Sequence, residues 1–188
     1  MKTETRCSWV NMKNPLYVKY HDEEWGVPLY DDQKLYELLI LETFQAGLSW
    51  ECVLNKRENF RKAFDGFELD LVMNYDEEKI IELMNNPDII RNRRKITAAV
   101  FNSRVFRSIQ EEFGSFSNYI WAYTSGNIVW EPFTLRTTSP LSDAVCQDLK
   151  KRGMSFVGST TIYAFLQSMG MIAAHSAGCM CCKHEGKE

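Results

Sequence analysis

One acidic residue interrupts an apolar segment of the sequence, LETFQAGLSW at positions 41–50. If this segment and the residues before it are helical, Glu42 shares one face with three leucines, because positions i, i+3, i+4 and i+7 line the same side of a helix. These leucines are Leu35, Leu38 and Leu39. Such a face points inward, and a buried carboxylate is unfavourable unless it is paired or hydrogen-bonded. We therefore expect Glu42 to meet a cation or several hydrogen-bond donors.

Aromatic residues crowd the same part of the chain. The first fifty residues include Trp9, Tyr17, Tyr20, Trp25 and Trp50. Aromatic faces attract cations, by about 2 kcal/mol or more where water is excluded. A pocket that combined these rings with one carboxylate would favour a flat, positively charged ligand. The alternative is that the rings belong to the core, as most Trp and Tyr residues of small helical proteins do.

Histidines and cysteines near the two ends have the composition of a zinc site. His175 and Cys179 are four residues apart, a spacing that puts two ligands on one side of a helical turn. Cys7 and His21 lie near the amino end. Together the four residues form a Cys2His2 set, which is typical of structural zinc and would tie the termini together.

Spacing alone leaves two questions about this cluster open. The segment CMCC at 179–182 could be a thiol-rich end that binds no metal, with His21 a surface residue. The fourth ligand is also undetermined, because other thiols and an imidazole lie close to Cys179 in the sequence. These are Cys181, Cys182 and His184.

Two basic segments are candidates for contact with phosphate. The first segment is RNRRK at 91–95, which contains Arg93 and Arg94. It places cations at the start of a helix, where the helix dipole disfavours positive charge. This placement suggests a function such as phosphate binding. In LKKRGMSFVGSTTIY at 149–163, Gly153 permits a turn and a second helix begins after Gly158 with free N–H groups that can bind phosphate. The ordinary alternatives are a solvated helix face and an αα-hairpin without a ligand.

Helical periodicity dominates the sequence, and no two alternating segments are joined by a hairpin turn, so we predict an all-α fold. The segment 126–140 is expected to form a loop or a short extended piece. Helices are predicted at about 32–44, from 48 to 66, and at 76–85, 91–114, 142–153 and 159–170.

Composition indicates one folded unit. The chain has 188 residues, of which 45% are hydrophobic, and no linker-like tract, so a single domain over 1–188 is expected. No leader follows Met1 and no apolar run reaches about 18 residues, which predicts a cytoplasmic protein without a membrane span. Six cysteines are then expected to be thiols or metal ligands. The net charge of −3 argues weakly against a nucleic-acid partner, although the distribution of charge matters more.

Five segments, in this order, resemble the 3-methyladenine DNA glycosylase I family of the helix-hairpin-helix glycosylase superfamily. They cover nearly the whole chain. The segments are CSWV to YHDEEWGVP (7–28), LETFQAGLSW to VLNKRENF (41–60), IIRNRRKI (89–96), KKRGMSFVGSTTIY (150–163) and HSAGC (175–179). The resemblance implies an all-helical helix-hairpin-helix fold with structural Zn²⁺ at Cys7, His21, His175 and Cys179. We expect a monomer, although the sequence itself does not determine the oligomeric state.

The resemblance also implies an activity and a site. We expect an enzyme of base-excision repair that extrudes N3-methyladenine from alkylated double-stranded DNA, hydrolyses its N-glycosidic bond and releases free 3-methyladenine. Glu42 is the expected catalytic residue, and Gly47 and Leu48 are expected near the gap left by the extruded nucleotide. The implied base pocket contains Trp9, Tyr17, Tyr20 and Trp50. The expected DNA-binding positions are Gly47, Leu48, Arg93, Arg94, Gly153 and Gly158.

Three further features of the sequence bear on this resemblance. The segment after the hairpin, 169–178, has no carboxylate, although the resembled family also lacks one there. Phe156 occupies the position where the usual Gly-hydrophobic-Gly turn has its first glycine. No lysine lies at 159–163, which favours a monofunctional enzyme over a lyase. Other hypotheses are a catalytically silent damage binder, a glycosylase for another base such as 7-methylguanine, and a helical protein that binds small aromatic amines.

Overall fold

The structure is a computed structural model that describes residues 5–131 and 136–182. Helices account for most of the described residues, and a single 3-10 turn spans Asp65–Phe67. The elements in chain order are α1 Pro15–Glu23, α2 Asp32–Gln45, α3 Trp50–Asn55, α4 Arg57–Ala63, α5 Leu69–Val72, α6 Glu77–Asn85, α7 Arg93–Phe113, α8 Phe116–Ala122, β1 Val129–Trp130, α9 Pro140–Lys151, α10 Ser159–Ser168 and β2 Ile172–Ala173.

Local sequence determines where the helices begin. Asn14 accepts a hydrogen bond from a backbone N–H of the first turn of α1, and Pro15 occupies the first helical position. Asp31 caps α2 in the same way, and Ser139 forms a capping box with Ser142 at the start of α9. Such caps each contribute about 1 kcal/mol, because they satisfy N–H groups that have no partner within the helix.

Helix α2 is the central element of the core. It packs against α3, α7, α8 and α10, and its residues Leu35, Leu39 and Phe44 are fully buried. Its first residue, Asp32, accepts hydrogen bonds from the N–H groups of Phe116 and Ser117 and so caps α8. Because neighbours surround α2, the inward face predicted from the leucine spacing is removed from water. No described helix is long and apolar enough to cross a membrane.

The chain departs from the predicted elements in three places. The helix predicted over 48–66 is divided into α3, α4 and the 3-10 turn. The segment 126–140 contains the short extended piece that was expected, β1, but this strand pairs in parallel with β2, so the fold is mostly rather than entirely helical; residues 132–135 lie outside the described part. His175 and Cys179 lie on a non-helical turn, so the helical turn predicted for them is wrong.

A close backbone contact fixes the end of α10 against the segment after α1. Gly170 has a φ of +77°, and a Cβ atom there would lie 2.4 Å from the carbonyl carbon of Val27. The amide of Leu29 donates to the carbonyl of Met169 at the same contact. Glycine is required because a side chain would force the two segments apart.

The substitution Gly170→Ala tests this contact. We expect it to lower the free energy of unfolding by about 3 kcal/mol, because left-handed backbone strain and overpacking act together. Gly126→Ala is the matched control, since Gly126 has a φ of +78° and no atom within 4 Å of the position that its new methyl group would occupy. The control variant should lose about 1 kcal/mol of unfolding free energy, because it introduces only the left-handed backbone strain. Urea unfolding of both variants measures the difference, and equal losses would contradict the steric argument.

Candidate active site

A cavity of about 200 Å³ lies beside α2 and contains Glu42. The structure brings together in its lining every residue predicted for the base pocket, and adds Trp25 and residues from α10. The described lining consists of Trp9, Tyr17, Tyr20, Trp25, Glu42, Gln45, Trp50, Arg136, Ala164, Gln167 and Ser168. A cavity with these walls can hold a flat, polar ring.

Glu42 is 2% exposed and only partly hydrogen-bonded. Its Oε1 accepts a hydrogen bond from Ser168 Oγ at 2.9 Å, while Oε2 has no partner among the described residues. Burial raises the pKa of the Glu42 carboxyl to about 8, and the Ser168 hydrogen bond opposes this rise. None of the described residues therefore provides the expected cationic partner of Glu42. One oxygen of its carboxyl group remains available to a ligand.

A chain of hydroxyl groups holds the other oxygen in place. Tyr20 Oη donates to Ser168 Oγ at 2.9 Å, and Ser168 in turn donates to Glu42. Burial raises the pKa of Tyr20 well above its usual value, so its hydroxyl stays protonated and remains a donor. The chain fixes the orientation of the Glu42 carboxyl group, because Ser168 must use its single proton on it.

The aromatic residues form a continuous wall. The rings of Tyr20 and Trp50 lie with centroids 5.4 Å apart, and those of Trp9 and Tyr17 are also 5.4 Å apart. The Trp50 indole Nε1 is buried without a hydrogen-bond partner among the described residues. The wall is thus built from aromatic rings, and the site combines an unpaired donor with the unpaired acceptor of Glu42.

A second, larger groove of about 480 Å³ adjoins the cavity on the other side of Tyr20 and Trp50. Its charged groups are largely paired with one another, as in the ion pairs Arg57–Glu24 and Arg61–Glu37. The smaller cavity is the better candidate for ligand binding, because it contains the buried carboxylate oxygen that still requires a donor.

The four predicted zinc ligands converge behind this wall. Their ligand atoms lie within 4.8 Å of one another. Cys179 Sγ is 3.4 Å from His21 Nε2 and 3.5 Å from His175 Nδ1, and Cys7 Sγ is 3.5 Å from His175 Nδ1. Tetrahedral zinc, with Zn–S of about 2.3 Å and Zn–N of about 2.0 Å, places sulfur and nitrogen ligands about 3.5 Å apart. The spacing of the side chains and the identity of their donor atoms therefore fit zinc.

Neighbouring groups hold these ligands. His21 Nδ1 contacts Asp22 Oδ1 at 2.8 Å, which leaves His21 Nε2 facing the cysteines. Arg6 binds both oxygens of the Asp22 carboxylate. A carboxylate behind a histidine is a common support for a metal ligand, since it fixes the tautomer and the ring orientation. The amide of Met180 donates to the carbonyl of Thr5 at 2.8 Å, so the two ends of the described chain meet here.

The cluster and the cavity share a wall. The Trp25 ring lies 4.6 Å from the His175 ring, and the Trp9 ring lies 5.3 Å from the His21 ring, both edge to face. The two tryptophans also line the cavity. Any loosening of the Cys/His cluster would therefore move the wall of the candidate base pocket.

Gly47 and Leu48 form an exposed turn at the rim of the site. Gly47 has a φ of +82°, which favours glycine, and the Leu48 side chain is 43% exposed. Trp50, two residues further along, lines the cavity. An exposed apolar side chain thus lies in the turn between Gln45 and Trp50, two residues that line the cavity.

The basic residues of the segment 91–95 lie in different environments. Arg93 is ion-paired with Glu77, whereas Arg94 is exposed and has no ion-pair partner in the described part of the chain. Lys95 is buried, so the exposed cations of this segment are its arginines. Arg94 is therefore the more accessible candidate for phosphate contact, while Arg93 must first leave Glu77.

Helices α9 and α10 pack against each other as the predicted hairpin. Gly158 precedes α10, and no side chain caps this helix. Gly153 has a φ of +105°, and Phe156 adopts a φ of +59° in the left-handed region. Phe156 thus takes the backbone conformation for which a glycine would ordinarily be used, at a cost of about 1 kcal/mol or more. The turn keeps the glycine-like geometry without the glycine.

Sequence reasoning did not identify Ser168 as part of the site. It lies 126 positions from Glu42 and reaches it only because α10 packs against α2. The available signal was weak: a small polar residue at the end of a helix that is otherwise apolar on its buried face. Gln167 and Arg136 were missed for the same reason, whereas Gln45 lies three residues after Glu42 on α2 and could have been found from helical spacing.

Comparison with known proteins places this arrangement in a defined class. A sequence profile of the family described as methyladenine glycosylase matches residues 9–183. DNA-3-methyladenine glycosylase 1 of Escherichia coli strain K12 is 42% identical over 180 residues, which are 94% of this chain and 96% of that protein. A crystal structure of 3-methyladenine DNA glycosylase I matches with a TM-score of 0.90 and 41% identity, over 94% of this chain and 99% of that one.

A structure of 3-methyladenine DNA glycosylase I from Staphylococcus aureus, which describes the basis of 3-methyladenine recognition, has a TM-score of 0.89 and 34% identity. The match covers 94% of this chain and 96% of that one. The helical fold is thus that of a DNA glycosylase. The chain belongs to the methyladenine glycosylase family, and the resemblance found in its sequence is confirmed.

The pKa of Glu42 predicts how stability depends on pH. The folded protein holds a proton on Glu42 up to about pH 8, whereas the unfolded chain releases it near pH 4.5. Between these values the folded state binds more protons, so the free energy of unfolding falls as pH rises, by about 5 kcal/mol at most. Urea unfolding of wild type and Glu42→Gln at pH 5 and pH 8 measures this decline.

The Glu42→Gln variant should lack this component of the decline, because its amide does not titrate. Glu82→Gln, which changes an exposed carboxylate, is the control and should follow the wild type. If wild type and Glu42→Gln lose the same stability between the two pH values, Glu42 is not the desolvated acid described here.

Proposed function

We propose that this protein excises N3-methyladenine from alkylated double-stranded DNA by hydrolysis of the N-glycosidic bond. The E. coli relative is a DNA-3-methyladenine glycosylase, and the S. aureus structure concerns recognition of 3-methyladenine. The observation that carries the proposal for this chain is Glu42, whose buried and unpaired oxygen lies in a cavity walled by aromatic rings.

The chemistry of the lesion explains why such a site suffices. Methylation at N3 makes adenine cationic, so its bond to C1′ is already weakened. Water adds to C1′, the C1′–N9 bond breaks, and its electron pair leaves with the base, which becomes neutral, while the water proton passes to solvent. Acid catalysis is therefore not required, and the enzyme has to extrude and hold the nucleotide.

Glu42 selects the cationic base by electrostatics. Burial, opposed in part by the Ser168 hydrogen bond, raises the pKa of Glu42 to about 8, and a cationic ring beside the carboxyl group favours the carboxylate and expels the proton. The free Oε2 accepts a hydrogen bond from the donor edge of the base, most simply its exocyclic amine. Ordinary adenine lacks the charge and gains less from the carboxylate and from the π faces.

The rings supply stacking, which offsets the cost of extrusion. Taking a nucleotide out of the duplex costs a few kcal/mol, least for a damaged pair. Trp9, Tyr17, Tyr20 and Trp50 receive the base, and Leu48 fills the space that it leaves. The uncapped start of α10 and the turn at Gly153 bind the DNA backbone through N–H groups, with Arg94 adding charge.

A monofunctional reaction follows from the lining of the cavity. No lysine belongs to its described lining, so no side-chain amine is placed to form a Schiff base with the sugar. The product is then an abasic site and free 3-methyladenine.

We further propose that Cys7, His21, His175 and Cys179 bind one structural Zn²⁺. Zinc would link the amino-terminal segment and α1 to the segment after β2, and its chemistry there is stabilisation rather than catalysis. The spacing of the ligand atoms, their pairing of thiols with imidazoles, and the Asp22 contact to His21 support this assignment. Because Trp9 and Trp25 pack on the histidines, the metal would also support the pocket wall.

Release of base from alkylated DNA tests the proposed activity. We expect wild type to release 3-methyladenine from methylated duplex, with kcat/KM rising with pH to a plateau above about pH 8, because the free enzyme must ionise Glu42. Glu42→Gln should lower kcat/KM on the order of a hundredfold and remove this pH dependence. Release of 7-methylguanine in preference to 3-methyladenine would change the assigned substrate, and binding without release would indicate a damage binder.

Metal analysis of matched cysteine variants tests the zinc proposal. Cys179→Ala should lose zinc and several kcal/mol of stability together, because metal binding at a structural site is part of the folding free energy. Cys146→Ala is the control, since Cys146 is also a buried thiol but lies outside the cluster. It should keep one equivalent of zinc and lose about 1 kcal/mol. A Cys179→Ala protein with full zinc content and unchanged stability would refute the assignment.

A further inference from the structure

Lys95 is a buried lysine that connects α7 to the end of α2. Its side chain is 5% exposed, and its Nζ donates to the carbonyl oxygens of Phe44 at 2.7 Å and Ala46 at 2.6 Å. Both carbonyls belong to the C-terminal end of the helix that carries Glu42. The site described above does not use this residue, because Lys95 does not line the cavity.

The contact satisfies carbonyl groups at the end of α2 that the sequence of α2 leaves without a local partner. The last carbonyl groups of a helix have no partner within it, and a positive charge is favourable there because of the helix dipole. The last turn of α2 contains no basic residue, and the helix ends without a glycine at its cap, Ala46. Lys95 supplies from a distant helix the charge and the donors that a local cap would otherwise provide. Desolvation lowers the pKa of Lys95, while the two carbonyls hold its protons.

Lys95 thereby fixes one end of the turn that carries Leu48. The turn begins at Ala46, whose carbonyl Lys95 binds, and continues through Gly47 at a φ of +82°. The amide of Leu48 donates back to the carbonyl of Gln45 at 2.7 Å. At the other end, Ser49 caps α3 through the amide of Cys52. The exposed leucine is therefore held between two anchored ends.

We propose that Lys95 is a positioning residue, which holds the 46–49 turn so that Leu48 enters the gap left by the extruded nucleotide. This inference rests on the proposed glycosylase function. A turn free to move would have to be ordered during DNA binding, and that entropy cost would oppose extrusion. A turn that α7 holds in place avoids the cost, and α7 also brings Arg94, the residue before Lys95, towards the same DNA.

A double-mutant cycle between Lys95 and Leu48 tests the proposal. The variants are Lys95→Met, Leu48→Ala and the two combined, with single-turnover release of 3-methyladenine from duplex DNA as the readout. Each single variant is expected to slow release by about ten- to hundredfold, since small errors of placement have effects of this size. If Lys95 acts through Leu48, the double variant is no slower than the worse single variant. Independent, multiplicative effects would overturn the proposal.

The choice of substrate provides a second readout. When 3-methyladenine lies opposite an abasic site, extrusion is easier, so the defect of Lys95→Met should shrink by about tenfold or more. Its affinity for free 3-methyladenine should equal that of wild type, because the cavity itself is unchanged. A loss of free-base affinity as large as the loss of duplex activity would show that Lys95 supports the pocket instead of the turn, and would also overturn the proposal.

Controls separate positioning from stability. Ser103→Ala removes another buried polar group of α7, one that donates to the carbonyl of Val100 in its own helix. Ser103→Ala should lower the free energy of unfolding. Any effect of this variant on base release should depend neither on Leu48 nor on the base opposite 3-methyladenine. Lys95→Gln, which keeps two N–H donors, replaces Lys95→Met if the latter does not fold, and should show the same cycle with a smaller effect. If wild type releases no 3-methyladenine, the proposed function fails; if wild type is active and the cycle is multiplicative, only the role of Lys95 fails.

Discussion

The desolvation of one carboxyl group is the constraint on which the site depends. Glu42 lies on the inward face of the central helix α2, where water cannot hydrate its charge, and only one of its oxygens has a hydrogen-bond partner among the described residues. Its charged form is therefore unstable until a cation enters the cavity. The fold tolerates this unfavourable burial because the leucines and aromatic rings around α2 contribute enough hydrophobic stabilisation to hold the helix in position. A neutral base would leave the carboxyl protonated, whereas a cationic base restores the pairing that burial removed.

Elements far apart in the sequence cooperate to maintain this environment. α10 supplies Ser168 to one oxygen of Glu42, and α7 supplies Lys95 to the end of the helix that bears it. The wall of the pocket rests on the Cys/His cluster, in which the segment before α1 meets the segment after β2. The cavity therefore depends on segments that are far apart in the chain, and a change in the cluster or in α10 would alter its walls, whereas Lys95 of α7 acts on the turn that follows α2.

Individual residues show how far local sequence reasoning extends. The leucine spacing correctly predicted that Glu42 is buried, and the helix predicted from about residue 32 does begin at Asp32. Arg93 and Arg94 were predicted to contact DNA, and Lys95, which belongs to the same run of basic residues, turns inward. His175 and Cys179 do converge, but on a turn that is not helical. In both cases, a contact with a distant part of the chain decided how the side chains are oriented. Spacing alone had suggested a different orientation.

Local sequence is sufficient to specify the helical class of the fold, the inward position of Glu42 and the aromatic rings that lie near it in the chain. These properties follow from periodicity, capping and residue type, which act over a few neighbouring positions. Three-dimensional packing was needed to establish that Ser168 binds Glu42, that Lys95 caps α2, and that Arg93 is paired with Glu77. Those outcomes depend on which helices pack against each other, and packing is set by the shape of the whole core rather than by any single segment.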